Sequence, residues 1–386
     1  MTGNNISGLT NLNPAPLFER IQIGDLDLPN RIVMAPMTRQ FAPAGVLDTA
    51  AEQYYARRAR GGVGLIISEG TVVNHPVSHH SATAPHFYGD AALARWRQVC
   101  DAVHAEGGRI FPQLWHTGPL RVREQTHNPQ DASIAPCDTG DPFIRGMTER
   151  DIEDVVAAFG NAATDAKRVG FDGIAIHGAH GYLIDQFLWS RTNQRADAYG
   201  GDIAGRVRFA VEIVTEIRQQ VGPGFPILFR FSQWKGGGGF YGVKMAESPR
   251  DLAALLEPLA DAGVDIFDAS MRRFWLPEFA GSNLNLAGWA KKITGKTAMA
   301  VGSVTLDGQA APSDKSSAYH STGVTPDNLP QLTEMMARGD FDLIGVGRAL
   351  LANPDWPKIV RHQAFDAFRP YDPARAIAML EPSCEA

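Results

Sequence analysis

The chain has 386 residues and a formal net charge of −6, a length typical of one large domain with insertions or of two domains. The negative balance disfavours nucleic acid and anionic membrane as partners, and no apolar run reaches the ~18 residues of a membrane span. Three scattered cysteines predict neither a disulfide framework nor a thiolate metal cluster, which favours a reducing, cytoplasmic location. Residues 1–16 are polar and lack the pattern of a signal peptide, so they predict a flexible N-terminal tail.

Apolar runs alternate with amphipathic helical patterns along most of the remaining chain. Residues 17–29 precede the first barrel strand, and the alternation within them at 18–24 predicts a β-hairpin that plugs the bottom of a barrel. The buried strands predicted after it span residues 32–35, 64–68, 109–114, 173–176, 227–231, 266–269, 298–301 and 343–346. The predicted helices span residues 49–60, 91–106, 148–169, 203–221, 248–262, 284–293 and 326–338, with a last one starting near 347. Their predicted caps include Thr148, Ser248 and Thr325.

The order of these elements favours an α/β fold with a closed barrel. Eight successive strand–helix pairs predict a single (β/α)8 TIM barrel over residues 17–365, with an N-terminal β-hairpin cap and a C-terminal extension over 366–386. No Gly-x-Gly-x-x-Gly fingerprint follows an early strand, which argues against a doubly wound nucleotide-binding sheet. Three long segments, 117–147, 232–247 and 303–325, follow strands and are expected to form irregular loops at the C-terminal face, the second made flexible by its glycine run.

The most informative stretch lies at the end of the fourth predicted barrel strand, where His177, His180 and Tyr182 follow an apolar run. In parallel α/β proteins, chemistry is placed at the carboxyl ends of the strands. Imidazoles can donate hydrogen bonds to a carbonyl oxygen and a phenol can deliver a proton, so this group could polarise an electrophile and complete its reduction. A structural histidine pair and half of a metal site are the rival interpretations, and no carboxylate or cysteine has suitable spacing for the metal.

The last two predicted strands end in sequences that contain glycine, Gly302-Ser303 and Gly345-Val-Gly347-Arg348, and the second also contains an arginine. In TIM barrels, loops at these two positions present backbone N–H groups to a phosphate. Gly302 and Gly347 permit a close backbone approach, and Arg348 adds a fixed positive charge. The sequence therefore predicts a cofactor that carries a phosphate.

Three other side chains near strand ends suit a flat heteroaromatic ring. Gln113 offers both a donor and an acceptor, which matches an imide edge, and Thr38 can donate to a ring carbonyl. Arg230 lies inside an apolar strand and therefore needs an anionic partner. An isoalloxazine ring could use all three. A second interpretation pairs Arg230 with a structural carboxylate, either Asp268 or Glu69.

Five segments carry the most specific signal, and they are Ala35-Pro-Met-Thr-Arg39, Gln113-Leu-Trp115, His177-x-x-His180-Gly-Tyr182-Leu, Asn193-Gln-Arg-x-Asp-x-Tyr-Gly-Gly201 and Gly345-Val-Gly-Arg348. In this order and at these strand ends they resemble the Old Yellow Enzyme family, over about residues 17–356. The resemblance implies a (β/α)8 barrel that binds FMN non-covalently and uses NADPH or NADH as reductant. Many members have asparagine where this chain has His180, so the histidine pair with Thr38 mixes features of two subgroups.

The resemblance also implies roles for the strand-end residues. Backbone groups would contact the flavin ring at Ala35, Pro36, Met37 and Gly70. Side chains would bind the ring edge, with Thr38 at the C4 carbonyl, Gln113 at the pyrimidine edge and Arg230 at N1 and the C2 carbonyl. The phosphate would be held by Gly302, Ser303, Gly347 and Arg348. His177 and His180 would bind the substrate carbonyl oxygen, Tyr182 would protonate the α-carbon, and Trp115 would shape the pocket.

The predicted function is that of an FMN-dependent ene-reductase, which uses NAD(P)H to reduce activated C=C bonds of α,β-unsaturated carbonyl or nitro compounds by a ping-pong mechanism. Rival functions are nitroester or quinone reduction on the same flavin, and a flavin-binding redox protein without enone turnover. A related barrel with an iron–sulfur cluster is disfavoured because the chain has no run of cysteines. A small molecule is the expected partner, with neither nucleic acid nor membrane, and a homodimer is compatible with this fold.

Other candidate residues outside these motifs have simpler interpretations. Trp275, after the sixth barrel strand, is a candidate for lining the substrate mouth. The histidines at positions 75, 79, 80 and 86 predict a solvated loop rather than a ligand set. Cys100, Trp96 and Trp289 lie on helical patterns and predict packing rather than chemistry.

Overall fold

Eight parallel strands form a closed barrel in the computed structural model, which describes residues 12–235, 244–306 and 323–380. The strands, in chain order, are Ile21–Ile23 (β1), Leu26–Leu28 (β2), Ile32–Met34 (β3), Leu65–Val72 (β4), Arg109–Trp115 (β5), Ser133–Ala135 (β6), Ile144–Gly146 (β7), Ile174–His177 (β8), Ile227–Phe231 (β9), Ile266–Ser270 (β10), Thr297–Val301 (β11) and Leu343–Val346 (β12). Successive strands β3, β4, β5, β8, β9, β10, β11 and β12 pair in that order, and β12 pairs with β3. The predicted (β/α)8 barrel is confirmed.

The helices cover the outside of the barrel and mostly begin where the sequence predicts. They are Ala50–Arg60 (α1), Asp90–Ala105 (α2), Glu149–Val169 (α3), Leu183–Leu188 (α4), Ile203–Val221 (α5), Pro249–Ala262 (α6), Leu286–Thr294 (α7), Leu329–Ala337 (α8), Arg348–Ala352 (α9), Trp356–His362 (α10) and Pro373–Ala378 (α11). The predicted caps Thr148 and Ser248 accept hydrogen bonds from Asp151 N and Asp251 N, both at 3.2 Å. Trp96 and Cys100 of α2 are fully buried, as predicted.

The predicted start of α8 at residue 326 is wrong. The helix begins at Leu329, and Asn328 is its first flanking residue. The side chain of Asn328 accepts a hydrogen bond from Thr305 N at 2.9 Å and donates one to Ser303 O at 2.9 Å. These contacts with the loop after β11 hold the chain outside the helix, so the local cap signal of Thr325 does not decide the boundary.

The N-terminal hairpin closes the bottom of the barrel. Strands β1 and β2 pair antiparallel, with Ile21 opposite Leu28. Ile23, Leu26 and Leu28 are buried in one cluster with apolar side chains of the barrel interior, namely Val33, Leu65, Ile67, Phe111, Ala175, Leu228, Ile266, Met299 and Leu343. Burial of this cluster removes the hairpin's apolar face from water, which confirms the predicted plug.

The long loops differ from their prediction in one place. Residues 117–147 are not wholly irregular, because β6 and β7 form a parallel pair within them. The other two predicted loops fall partly outside the described residues, including the glycine run at 236–239 and residues 307–322. In the described part of the chain, no helix is both long and apolar enough to cross a membrane.

Candidate active site

A polar layer lies directly above the apolar interior of the barrel, toward the C-terminal ends of the strands. Because strand side chains alternate between faces, residues two positions beyond an inward-facing residue also point inward. Phe111, Ala175, Leu228 and Ile266 belong to the interior cluster, and the residues two positions beyond them are Gln113, His177, Arg230 and Asp268. The register places His177 opposite Arg230 and Arg230 opposite Asp268. Three of these four side chains are predicted site residues, and the structure brings them together.

The turn after β8 brings His177, His180 and Tyr182 into contact. His180 and Gly181 have φ angles of 66° and 86°, a left-handed pair that reverses the chain before α4 begins. The ring centroid of His177 lies 5.1 Å from that of His180 and 4.9 Å from that of Tyr182. Trp115 packs edge-on against Tyr182 at 4.9 Å, which fixes the phenol between an indole and an imidazole.

A buried ion pair holds this turn in place, and the sequence patterns did not indicate it. Asp185 in the first turn of α4 accepts a hydrogen bond from Gly181 N at 2.6 Å. The same carboxylate pairs with Lys235, and both side chains are almost completely buried. Lys235 also forms an isolated parallel β-bridge with His180. These contacts connect the loop after β9 and helix α4 to the turn that carries His180 and Tyr182.

Both site histidines are held in the neutral state. Burial lowers the pKa of His177 well below its ordinary value, and the nearby Arg230 guanidinium lowers it further. Burial likewise lowers the pKa of His180, with added repulsion from His177 and the surrounding cations. A neutral imidazole carries one N–H donor and one acceptor nitrogen. The Nδ1 atom of His177 is buried without a hydrogen-bond partner among the described residues, so it remains available to a ligand.

Gln113 and Arg230 present further unused donors. The backbone N–H of Gln113 donates to Ser68 Oγ at 3.1 Å, while its side-chain Nε2 is buried without a partner in the described structure. Arg230 donates from Nη2 to Ser270 Oγ at 3.2 Å, and its Nε and Nη1 atoms make no hydrogen bond there. Buried donors without partners are costly, which indicates that a ligand completes this layer. The carbonyl and nitrogen acceptors along an isoalloxazine edge suit such donors.

The second interpretation of Arg230 is also partly correct, because the guanidinium does meet a carboxylate. Its Nη1 atom lies 3.5 Å from Oδ2 of Asp268, whose side chain is fully buried. Burial raises the pKa of Asp268 to about 6, although the positive charge of Arg230 opposes that rise. The alternative carboxylate, Glu69, has different partners, since its Oε2 accepts the N–H groups of Arg39 and Gln40 at 2.9 and 2.8 Å. These contacts fix the segment after β3.

The predicted ring contacts lie after β3 and within β4, which are neighbouring strands of the barrel. Ala35 is buried, Pro36 and Met37 are half-buried, and Thr38 is exposed. At Gly70 an added Cβ would lie 2.7 Å from the Trp115 ring, so a larger residue would push the indole out of place. Trp275 packs edge-on against Phe274, with ring centroids 5.1 Å apart.

The predicted phosphate side lies at the ends of β11 and β12. A Cβ on Gly302 would lie 2.7 Å from the carbonyl oxygen of Met271, so only glycine fits there. Ser303 has a φ of 55°, and its hydroxyl donates to Arg272 O at 2.8 Å. Gly347 flanks α9, and Arg348 is the first residue of that helix. Because space remains around Gly347, whose added Cβ would meet nothing closer than 3.6 Å, a ligand can approach this backbone.

The prediction of a solvated loop for the histidines after β4 is wrong. His79 is buried, and its Nε2 lies 3.1 Å from His86 Nε2 and 2.8 Å from the Tyr88 hydroxyl. His75 Nδ1 lies 3.0 Å from Nε2 of the buried His116. Imidazole rings hydrogen-bond to one another here, which solvated side chains would not need to do. No group of three His, Cys, Asp or Glu side chains in the described ranges is placed to hold a metal ion.

Because these histidines are buried, we expect the folded protein to lose stability in mild acid. Burial lowers the pKa of His75, His79 and His86 to about 4 from an ordinary value of 6.5. Below pH 6.5 the unfolded chain therefore binds protons that the folded chain does not bind. The free energy of unfolding should have its full value above pH 6.5 and should fall as the pH drops toward 4. Urea unfolding followed at several pH values measures this slope. The double variant H79Q/H86Q should reduce this slope, because it removes two of the contributing imidazoles.

The structure thus has a closed (β/α)8 barrel whose mouth combines a neutral histidine pair, a phenol, unpartnered amide and guanidinium donors and a glycine-lined strand end. This combination defines the class of barrels that bind a flavin at the C-terminal face.

Comparison with known proteins agrees with that class. The model of the NADH:flavin oxidoreductase / NADH oxidase family matches residues 16–366. An NADH oxidase from Thermoanaerobacter brockii is 35% identical over 349 residues, which cover 89% of this chain and 50% of that protein. The 12-oxophytodienoate reductase 2 of Arabidopsis thaliana is 31% identical over 363 residues, covering 89% of this chain and 87% of that protein. Morphinone reductase in complex with tetrahydroNAD superposes with a TM-score of 0.76 at 27% identity, covering 93% of both chains.

The chain belongs to the NADH:flavin oxidoreductase / NADH oxidase family. The predicted resemblance to the Old Yellow Enzyme family and the predicted cofactor, FMN, are confirmed at this level. The chain spans about half the length of several curated relatives that it matches, the Thermoanaerobacter brockii protein among them.

Proposed function

We infer that the protein is an FMN-dependent ene-reductase that uses NAD(P)H to reduce activated C=C bonds of α,β-unsaturated carbonyl or nitro compounds. The observation that carries this proposal is the contact of one phenol with a neutral histidine pair at the barrel mouth, with ring centroids of His177 and Tyr182 4.9 Å apart. Reduction of an activated alkene needs a group that binds the electron-withdrawing oxygen and an acid that protonates carbon. Binding a flavin alone would need neither.

The buried donors of the polar layer support a flavin ring above the interior cluster. Gln113 and Arg230 would bind the pyrimidine edge and Thr38 a ring carbonyl, with the remaining ring contacts from the backbone at Ala35, Pro36, Met37 and Gly70. Gly302, Ser303, Gly347 and Arg348 would hold the phosphate. When bound, FMN supplies hydride chemistry between NAD(P)H and the substrate. On this proposal residues 17–365 form the FMN-binding unit, and residues 366–386 form an extension outside it.

The chain's own side chains then complete the reduction. Neutral imidazoles of His177 and His180 donate hydrogen bonds to the substrate oxygen, which stabilises the negative charge that develops there as hydride reaches the β-carbon. The Tyr182 hydroxyl gives its proton to the α-carbon, so the C=C bond gains one hydride and one proton in total. Trp115 packs against Tyr182 and shapes the pocket, and Trp275 would line its mouth.

The names of two similar proteins support an alkene substrate. One is named as a reductase of 12-oxophytodienoate, a name that denotes an oxo group and two C=C bonds, and the other as a reductase of morphinone; both align over most of this chain. We propose a ping-pong order, in which the nicotinamide leaves before the enone enters, so that both reactants meet the flavin in turn.

The visible spectrum of the purified protein tests the proposal. Yellow colour should bleach on anaerobic addition of NADPH or NADH and return on addition of 2-cyclohexenone. Bleaching without return on the enone, but with return on a quinone or a nitroester, would replace the ene-reductase function by those reductions. Bleaching with no return on any of the three would favour a redox protein without turnover.

Loss of His177 should weaken binding of phenols, whose oxygen mimics the negatively charged oxygen of the reacting substrate. A hydrogen bond to a charged oxygen contributes about 1.5–3 kcal/mol, so H177A should raise the Kd of a phenol by roughly 10- to 100-fold. Titration of the long-wavelength flavin absorption measures the Kd. The control is H80A, because the His80 ring lies 5.5 Å from the same Trp115 but outside the proposed oxygen site. Unchanged affinity in H177A would remove His177 from that site.

A further inference from the structure

His180 can donate a hydrogen bond to a substrate oxygen only if its proton sits on the nitrogen that faces the ligand. One ring nitrogen, Nε2, lies 2.8 Å from the hydroxyl oxygen of Ser270, at the end of β10. A neutral imidazole carries a single proton, so the role of Nδ1 depends on whether Nε2 donates or accepts in this contact. Ser270 is buried and its hydroxyl decides between these two states.

The hydrogen-bond partners of Ser270 identify the donor. Its oxygen already accepts a bond from Arg230 Nη2 at 3.2 Å, and a guanidinium has no acceptor to offer in return. The oxygens of the adjacent carboxylate, Asp268, have no hydrogen-bond partner among the described residues, so the Ser270 hydroxyl is not directed to them. The acceptor left for that hydroxyl in the described structure is His180 Nε2. If Nε2 carried the proton instead, a buried hydroxyl hydrogen would have no partner, which is costly.

The His180 ring is also fixed in the orientation that this contact needs. Its backbone N–H donates to Ser232 Oγ at 3.1 Å, and its ring stacks on Trp234 with centroids 4.3 Å apart. The Trp234 indole in turn donates to the carbonyl of Ser270 at 3.0 Å. The imidazole, the indole and the serine therefore form one connected unit, so rotation of the ring away from the hydroxyl would break several contacts.

We propose that Ser270 is a positioning residue that fixes His180 as the neutral tautomer with its proton on Nδ1, and thereby makes His180 a hydrogen-bond donor to the substrate oxygen. The proposal rests on the proposed function for the identity of that oxygen, but the tautomer itself does not depend on any substrate. Ser270 acts through His180 and touches no reacting atom.

Nitrogen NMR of the holoprotein, labelled with ¹⁵N only in histidine, tests the tautomer directly. The signals of His180 are those absent from H180N. In the wild-type protein Nδ1 should appear as a protonated nitrogen and Nε2 as an unprotonated one. The variant S270A should lose this pattern, and S270T, which keeps the hydroxyl, should restore it. A wild-type Nε2 that carries the proton, or an S270A pattern identical to wild type, would overturn the proposal.

Phenol binding tests the consequence. S270A should weaken phenol affinity by about tenfold, the lower end of the range for one hydrogen bond to a charged oxygen. In the H180N background, where an amide donates without a tautomer, S270A should have little further effect; equal losses in both backgrounds would contradict action through His180.

The expected NMR pattern with phenol affinity unchanged in S270A and H180A would instead reject the proposed oxygen-binding function. A wrong NMR pattern with weakened binding in H180A would reject the role of Ser270 alone.

Discussion

Replacing Tyr182 by phenylalanine should slow reoxidation of the reduced protein by an enone about 10²- to 10⁴-fold, the range of one well-placed general acid. Flavin reduction by NADPH should change less than about twofold, since that half-reaction needs no proton at carbon. The ring contacts with Trp115 and His177, both at 4.9 Å, are kept by phenylalanine, so the loss reports on the hydroxyl. Anaerobic stopped-flow absorbance separates the two half-reactions.

The matched control is Y88F, because Tyr88 packs against the same cluster around Trp115, while its hydroxyl bonds to His79. This variant should reduce enones at the wild-type rate. A quinone provides a second comparison, since its protons go to oxygen and Y182F should therefore reduce it nearly as fast as wild type. Equal losses in both half-reactions, or equal losses with enone and quinone, would show that Tyr182 is not the proton donor.

The barrel and most of its site could be predicted because their signals are local. A parallel barrel strand is a short apolar run followed by a polar residue, and β9 and β12 begin and end where the sequence predicts. The period of two along a strand then places Gln113 and Arg230 on the inner face, two positions beyond apolar interior residues. The remaining site residues could be predicted from the identity and order of the strand-end motifs, since each motif is short and contiguous in the chain.

The residues that support the site could not be predicted, because their roles depend on contacts between distant segments. Asp185 has the pattern of an ordinary polar residue near a helix start, and only the fold reveals that Lys235, 50 residues later, neutralises it. Ser270 of β10 meets His180 across 90 residues of sequence, although only β9 separates β10 from β8 in the barrel. The burial of the histidines after β4 could not be predicted for the same reason, since it comes from their contacts with each other and with residues 115–127.

Replacing Arg230 by methionine should have the largest effect on stability. Methionine fills similar space but leaves Asp268, which is fully buried, without its counter-charge. Removing one partner of a buried ion pair typically costs about 3–5 kcal/mol, and we expect a loss of this size at pH 8. FMN affinity should fall as well, because Arg230 supplies unpartnered donors in the polar layer. Thermal unfolding with saturating FMN, and a separate FMN titration, measure the two effects.

The pH dependence of this loss distinguishes a buried charge from a packing defect. In the wild-type protein burial already raises the pKa of Asp268 to about 6 from 3.8, and loss of the Arg230 charge should raise it further. Such a carboxyl keeps its proton in the folded chain at pH values where the unfolded chain has released it. Its cost is therefore absent below pH 3.8, grows as the pH rises from 3.8 to the folded pKa, and is constant above that value. R230M should therefore be much closer to wild type at pH 5 than at pH 8. The double variant R230M/D268N removes the charge and should recover stability at pH 8, whereas a deficit that is equal at both pH values and persists in the double variant would assign the loss to packing.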